Sequence, residues 1–202
     1  MSQRRIGLLG GTFDPPHIGH LMVAVEVRAA LGLDAVALLV AHAPWQKADR
    51  AVTTPQRRLA MAAAAAEGLP GVEAWDFEFA VDGPTYTVDT LERLRRERPE
   101  VAPTLILGAD TFAGLHTWHR AADLVALADL AVVDRPGWRV PTDPSATTVG
   151  PTPTVVEVPQ LDVSSSDIRR RVHDSRPIDV LCPPRVVSLV AEWGLYHGHD
   201  GS

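Results

Sequence analysis

Apolar residues along this chain gather in short unbroken stretches, not in strict alternation. These stretches lie at Arg5–Leu9, Ala35–Ala41, Val72–Phe77, Thr104–Leu107, Leu130–Val133 and Val155–Val158. Continuous runs of this length predict strands buried on both faces of a parallel sheet. Between them the period becomes helical. From His17 to Leu31 the apolar positions include Ile18, Leu21, Met22 and Val25, and Gly32 then marks a helix end. A second helix begins at Thr54-Pro55, threonine as cap and proline in the first turn, and runs to about Glu67. A third, Val88–Arg98, stops before Pro99. Alternating strands and helices predict an α/β fold built on a doubly wound, mostly parallel sheet, with ligands beyond the carboxyl ends of the strands.

Residues Arg135–Thr154 are rich in Pro, Gly, Ser and Thr and predict a long surface loop. Beyond the last strand, Ser165–Asp174 and Pro183–Trp193 read as helices of a small C-terminal cap, and the polar tail from His197 as frayed. The expectation is one domain over residues 1–202, an α/β core to residue 160 followed by a helical part over 161–196.

Apolar content of 46% suits a soluble globular protein. The longest apolar run, Leu59–Ala66, is too short to span a bilayer, and Arg4-Arg5 lead straight into a glycine-rich motif without a secretory signal. The single cysteine, Cys182, leaves no intrachain disulfide and fits a reducing cytoplasm. A net charge of −6 argues against a general nucleic-acid binder. Any anionic ligand must then meet a local cationic patch. Of the 19 basic residues only Lys47 is lysine, and it falls in a loop. Compositional accident accounts for that as well as a phosphate contact that needs a compact, mobile cation.

The densest chemistry is Gly10-Gly11-Thr12-Phe13-Asp14-Pro15-Pro16-His17-Ile18-Gly19-His20, placed where a strand turns into a helix. Histidines three apart share a helix face, here at the positive end with its outward N–H groups. Gly10 and Gly11 offer a ligand close approach to the backbone. The constellation suits phosphate oxygens. It is not the dinucleotide fingerprint, because Gly-x-Gly-x-x-Gly is missing.

Other segments add to it. Ser164-Ser165-Ser166 precedes a helix and exceeds what capping requires, and Arg169 follows Ser166 by three positions. Gly108-Ala109-Asp110 ends a buried strand on a carboxylate, which reads either as a ligand contact or as a cap for Thr111 onward. Trp118 follows, a stacking platform or a core residue. Thr85-Tyr86-Thr87 reads as a turn into a helix capped by Thr87.

These residues resemble the HxGH nucleotidyltransferase superfamily, and GGTFDPPHIGH in its long form is similar to nicotinate-mononucleotide adenylyltransferases. The resemblance spans residues 6–169. It implies a Rossmann-like nucleotidyltransferase fold and transfer of AMP from ATP to nicotinate mononucleotide, yielding deamido-NAD and pyrophosphate. On that resemblance His17 and His20 are catalytic. Gly11, Thr12, Phe13, Ser165, Ser166 and Arg169 meet the ATP phosphates; Gly10, Gly108 and Asp110 meet ribose and adenine. Lys47, Thr85, Tyr86, Thr87 and Trp118 hold the pyridine mononucleotide, with Pro44 and Arg135 nearby. Gln46 departs from the family, standing where histidine is usual. Magnesium is expected to arrive with ATP and to be held by its phosphates, with no protein ligand. The implied partners are these substrates, without nucleic acid or membrane; a homo-oligomer is compatible with the sequence. The alternatives are another HxGH enzyme, such as a phosphopantetheine adenylyltransferase, and an adenine-nucleotide sensor without turnover.

Overall fold

The structure, a computed structural model, describes residues 3–42, 52–80, 85–134 and 152–198. Six strands form one sheet: β1 (Arg4–Gly11), β2 (Ala35–Val40), β3 (Val72–Trp75), β4 (Val101–Gly108), β5 (Asp129–Asp134) and β6 (Thr154–Glu157). Their order is β3-β2-β1-β4-β5-β6, and every neighbouring pair is parallel. The order reverses between β1 and β4, so a crevice for ligands opens at their carboxyl ends.

The continuous runs are explained by burial on two sides. In β2, Ala35, Ala37 and Leu39 join one apolar cluster while Val36, Leu38 and Val40 join the other. The first cluster takes in α3 (Thr87–Glu97) through Val88, Leu91 and Leu94, and α5 (Ala121–Leu127) through Leu124. The second takes in α1 (Ile18–Leu31) through Ala24 and Val27, and α2 (Pro55–Ala66) through Ala62 and Ala66. Small side chains let α2 pack on both its faces. Its outer face, with Met61 and Ala65, meets Ile168 and Val172 of α6 (Ser165–His173) and Val186 and Leu189 of α7 (Pro184–Glu192). The C-terminal helices are thereby brought back toward the start of the chain.

Two local expectations change. The third strand stops at Trp75, and Phe77–Ala80 instead form a 3-10 turn. Thr154 opens β6 and does not close a loop. The stretch after β4 holds two short helices, α4 (Ala109–Ala113) and α5, with a 3-10 turn at Leu115–Thr117 between them. These are too short for a periodic signal.

Candidate active site

The strand β1 delivers Gly10 and Gly11 to the crevice, and α1 leaves it with His17 as N-cap and His20 in its first turn. The two imidazoles stack, ring centroids 3.7 Å apart. The main-chain N–H of His17 donates to Nδ1 of His20 at 3.2 Å. A ring nitrogen that accepts carries no hydrogen, so His20 bears its proton on Nε2 and is a donor there. His17 is buried, and desolvation pushes its pKa down to about 4. It is therefore neutral near pH 7. Its Nδ1 is buried without a partner among the described residues.

The glycines here serve packing as much as ligand access. A Cβ on Gly19 would lie 3.0 Å from Nδ1 of His17 and 3.1 Å from Val163. A Cβ on Gly11 would lie 2.8 Å from the Phe13 ring. The Phe13 ring occupies the side of Gly11 where a Cβ would stand, whereas Gly10 has nothing within 4 Å of an added Cβ and borders open space. Phe13 is buried at φ 50, in the left-handed region, and its ring meets His20 at right-angle-like geometry with centroids 5.0 Å apart. Its side chain supports His20 and leaves only its main chain for phosphate.

The three serines have separate tasks. Ser164 caps α6, its hydroxyl accepting the N–H of Asp167 at 3.1 Å. Ser165 Oγ donates to the carbonyl of Pro15 at 2.8 Å. Ser166 Oγ accepts from Arg169 at 2.9 Å, and Arg169 also donates to the carbonyl of Asp14 at 2.7 Å. The N-termini of α1 and α6 therefore share one loop, Asp14–Pro15. Two positive helix ends, two imidazoles, hydroxyls and a guanidinium gather there, an arrangement suited to a polyphosphate.

Across the crevice, Gly108 is the N-cap of α4, and Asp110 lies in the first turn, not in a capping position. A Cβ at Gly108 would stand 2.7 Å from Asp110 Oδ1, so the carboxylate folds back over the end of β4. Trp118 is half-buried and packs against the core beneath α3 and α5. The next residue, His119, brings its ring to Tyr86 with centroids 4.5 Å apart. Tyr86 is the N-cap of α3 and Thr87 its first helical residue, which displaces Thr87 from the expected capping role. Thr85 Oγ1 is buried and lacks a partner among the described residues. The candidates Pro44, Gln46, Lys47 and Arg135 lie outside the described residues. Among the described residues no group of three His, Cys, Asp or Glu side chains is placed to hold a metal ion.

A family model described as cytidylyltransferase-like matches residues 8–171. The chain is 41% identical over 192 residues to a protein of Exiguobacterium sibiricum, covering 95% of this chain and 98% of that one. It is 38% identical over 202 residues to one of Saccharopolyspora erythraea, covering 99% and 93%. Both relatives bear the name "probable nicotinate-nucleotide adenylyltransferase". The chain belongs to the nicotinate-nucleotide adenylyltransferase family. In fold it is similar to the nicotinic acid mononucleotide adenylyltransferase of Plasmodium falciparum solved with NaAD, with a TM-score of 0.77 at 20% identity over 96% of this chain and 97% of that one.

This adenylyltransferase-family chain also contains three site residues that sequence reasoning missed. Arg58, 1% exposed, donates to the carbonyls of Thr12 (2.9 Å), Ala41 (2.7 Å), His42 (3.0 Å) and Thr53 (2.8 Å). Asp14, equally buried, accepts the hydroxyl of Tyr196 at 2.6 Å and the N–H of Thr53 at 3.4 Å. Burial and the neighbouring Asp14 carboxylate push the Tyr196 hydroxyl well above its ordinary pKa. Arg58 stands beside Arg57 at a helix start, where a basic residue ordinarily faces water, so nothing local marks it.

Proposed function

We propose that this protein transfers AMP from ATP to nicotinate mononucleotide, giving deamido-NAD and pyrophosphate for NAD biosynthesis in the cytoplasm. The observation that carries this reading is the meeting of the stacked His17–His20 pair with Ser165 and Arg169 at the Asp14–Pro15 loop. The names of the relatives support nicotinate as the substrate's ring.

The mononucleotide phosphate has a second pKa of about 6 and is largely dianionic at neutral pH, so it needs no general base. No covalent enzyme intermediate is required either. The task is to align two polyanions and to stabilise charge at the α-phosphorus and on departing pyrophosphate. His20 donates through Nε2 to the α-phosphate, and neutral His17, stacked beneath it, holds that ring in place. The main chain of Gly11, Thr12 and Phe13 and the positive end of α1 lie along the α- and β-phosphates. Ser165, Ser166 and Arg169 take the distal phosphates, Ser165 and Arg169 exchanging their present main-chain carbonyl partners for oxygens of ATP.

Gly10, Gly108 and Asp110 meet the adenosine end. Thr85, Tyr86, Thr87 and Trp118 receive the pyridine nucleoside, and Lys47, with Pro44 beside it, its phosphate; Arg135 flanks this side. Magnesium comes on the ATP phosphates, whose negative charge it offsets. Imidazoles, hydroxyls and a guanidinium fit a metal carried by the substrate better than one caged by protein.

The test is product formation from ATP with nicotinate and nicotinamide mononucleotides, measured side by side. Deamido-NAD and pyrophosphate in equal amounts are expected, with nicotinate preferred. Adenylylation of phosphopantetheine, or ATP binding without pyrophosphate release, would assign a different role.

A further inference from the structure

Arg58 is a buried cation that ties main-chain segments together at the carboxyl ends of β1 and β2. Four of its N–H groups are spent on main-chain carbonyls from three separate segments: the exit of β1 at Thr12, the exit of β2 at Ala41 and His42, and Thr53 ahead of α2. A guanidinium is planar and its donors diverge at fixed angles, so these segments are set relative to one another by a single rigid fork. Lysine offers no such geometry.

The direction of those carbonyls has a consequence. In a trans peptide the C=O and the following N–H point opposite ways. With the Ala41 carbonyl turned in to Arg58, the N–H of His42 must turn out, and it does so onto the carboxyl of Glu78. By the same geometry the Thr12 carbonyl, held at 2.9 Å, turns the N–H of Phe13 away from Arg58. Phe13 is the residue held at φ 50 directly beneath His20.

The charge of Arg58 also remains uncancelled by contact. Among the described residues it forms no ion pair, and the carboxylate that acts on it, Asp14, is engaged by Tyr196 and Thr53. A buried cation attracts an anion more strongly than an exposed one.

We propose that Arg58 is a positioning residue for adenylyl transfer, orienting the main chain of residues 12–13 toward the triphosphate and supplying positive charge beneath it. This rests on the functional reading above. The variants are Arg58→Lys, which keeps the charge without the fork, and Met61→Ala, which removes a fully buried side chain of the same helix that faces the C-terminal helices. Each is measured for Tm, for kcat, for KM of both substrates, and for ATP binding by calorimetry.

The expected result is that Arg58→Lys loses about 10-fold or more in kcat and in ATP affinity, with the mononucleotide KM within about twofold. Met61→Ala, although less stable, keeps both within about twofold. Retained kcat and ATP affinity in Arg58→Lys, or an equal loss in Met61→Ala, would overturn the assignment. If Arg58→Lys does not fold, Arg58→Gln replaces it; failure of both places Arg58 in the scaffold alone and also overturns it. Absence of product from the wild type would defeat the functional reading, whereas calorimetry still decides whether Arg58 shapes the ATP cradle.

Discussion

The hydroxyl of Tyr196 donates to Oδ1 of Asp14 at 2.6 Å, joining the turn after α7 to the loop between β1 and α1. Asp14 also gives its main-chain carbonyl to Arg169. One residue of the glycine-rich motif is thus gripped twice from the C-terminal part, by side chain and by backbone. The candidate site is thus closed partly by Tyr196, a residue with no assigned part in its chemistry.

Replacing Tyr196 by Phe removes that hydroxyl and leaves a buried carboxylate short of a donor. The expected cost is about 1–3 kcal/mol of unfolding free energy, read by urea denaturation. The ATP KM should rise along with it, because Asp14 carries the carbonyl that Arg169 holds. A variant as stable as the wild type would mean that water replaces the phenol without loss.

Buried His17 and half-buried Glu78 give stability a pH dependence of opposite sign. The pKa of His17 is lowered by burial from 6.5 to about 4. Between these values the unfolded chain binds more protons than the folded one, so stability rises with pH there. The contribution is complete above pH 6.5 and is lost as pH falls through about 4, at most about 3 kcal/mol. Glu78 behaves in reverse: burial raises its pKa from 4.5 to about 7, so its contribution is complete below pH 4.5 and is lost as pH rises through about 7. His17→Asn should therefore flatten the acid limb of the stability curve. Glu78→Gln should be more stable than the wild type at alkaline pH, with the difference shrinking toward pH 4.5. Parallel curves for all three proteins in urea titrations would contradict both shifts.

How much of this was legible beforehand depends on how local each cause is. The strand runs were readable because burial on both faces leaves no polar positions, as in β2. His17 and His20 were readable because strand, turn and helix lie next to one another in sequence. Ser164 was readable as a cap for the same reason. Arg58 was not, since its partners come from three other segments and its own helix shows only an ordinary basic start. Nor were Asp14 and Tyr196, which meet only because α6 and α7 pack on the outer face of α2. What lies beside Gly11 was not readable either, since only the path of the chain brings the Phe13 ring against it.

His20→Ala removes the Nε2 donor that faces the reacting phosphate in the proposed mechanism. Loss of one preorganised donor to developing charge typically costs about 10²-fold in kcat. The ring also rests edge-on against Phe13 and stacks on His17, so some loss of stability should accompany the change. His20→Asn, which keeps a donor of similar reach, should retain more activity than His20→Ala. Turnover unchanged in the alanine variant would remove His20 from the mechanism.

Trp118 separates a binding role from a packing role. Its ring is half-buried against the core, while its neighbour His119 lies on Tyr86 at the start of α3. If the exposed part of the indole receives the pyridine ring, Trp118→Ala loses a stacking contact that only the mononucleotide makes. Its KM should then rise several-fold, by the roughly 0.5–1.5 kcal/mol an aromatic pair contributes, while the ATP KM holds nearly constant. Trp118→Phe should recover most of the loss, because it restores an aromatic face to the same wall. If instead the residue is chiefly a wedge beneath α3 and α5, the alanine variant will melt earlier and both KM values will climb together. Steady-state kinetics with each substrate varied in turn distinguishes the two outcomes, because the proposed mechanism assigns ATP to the side of the crevice formed by α1 and α6.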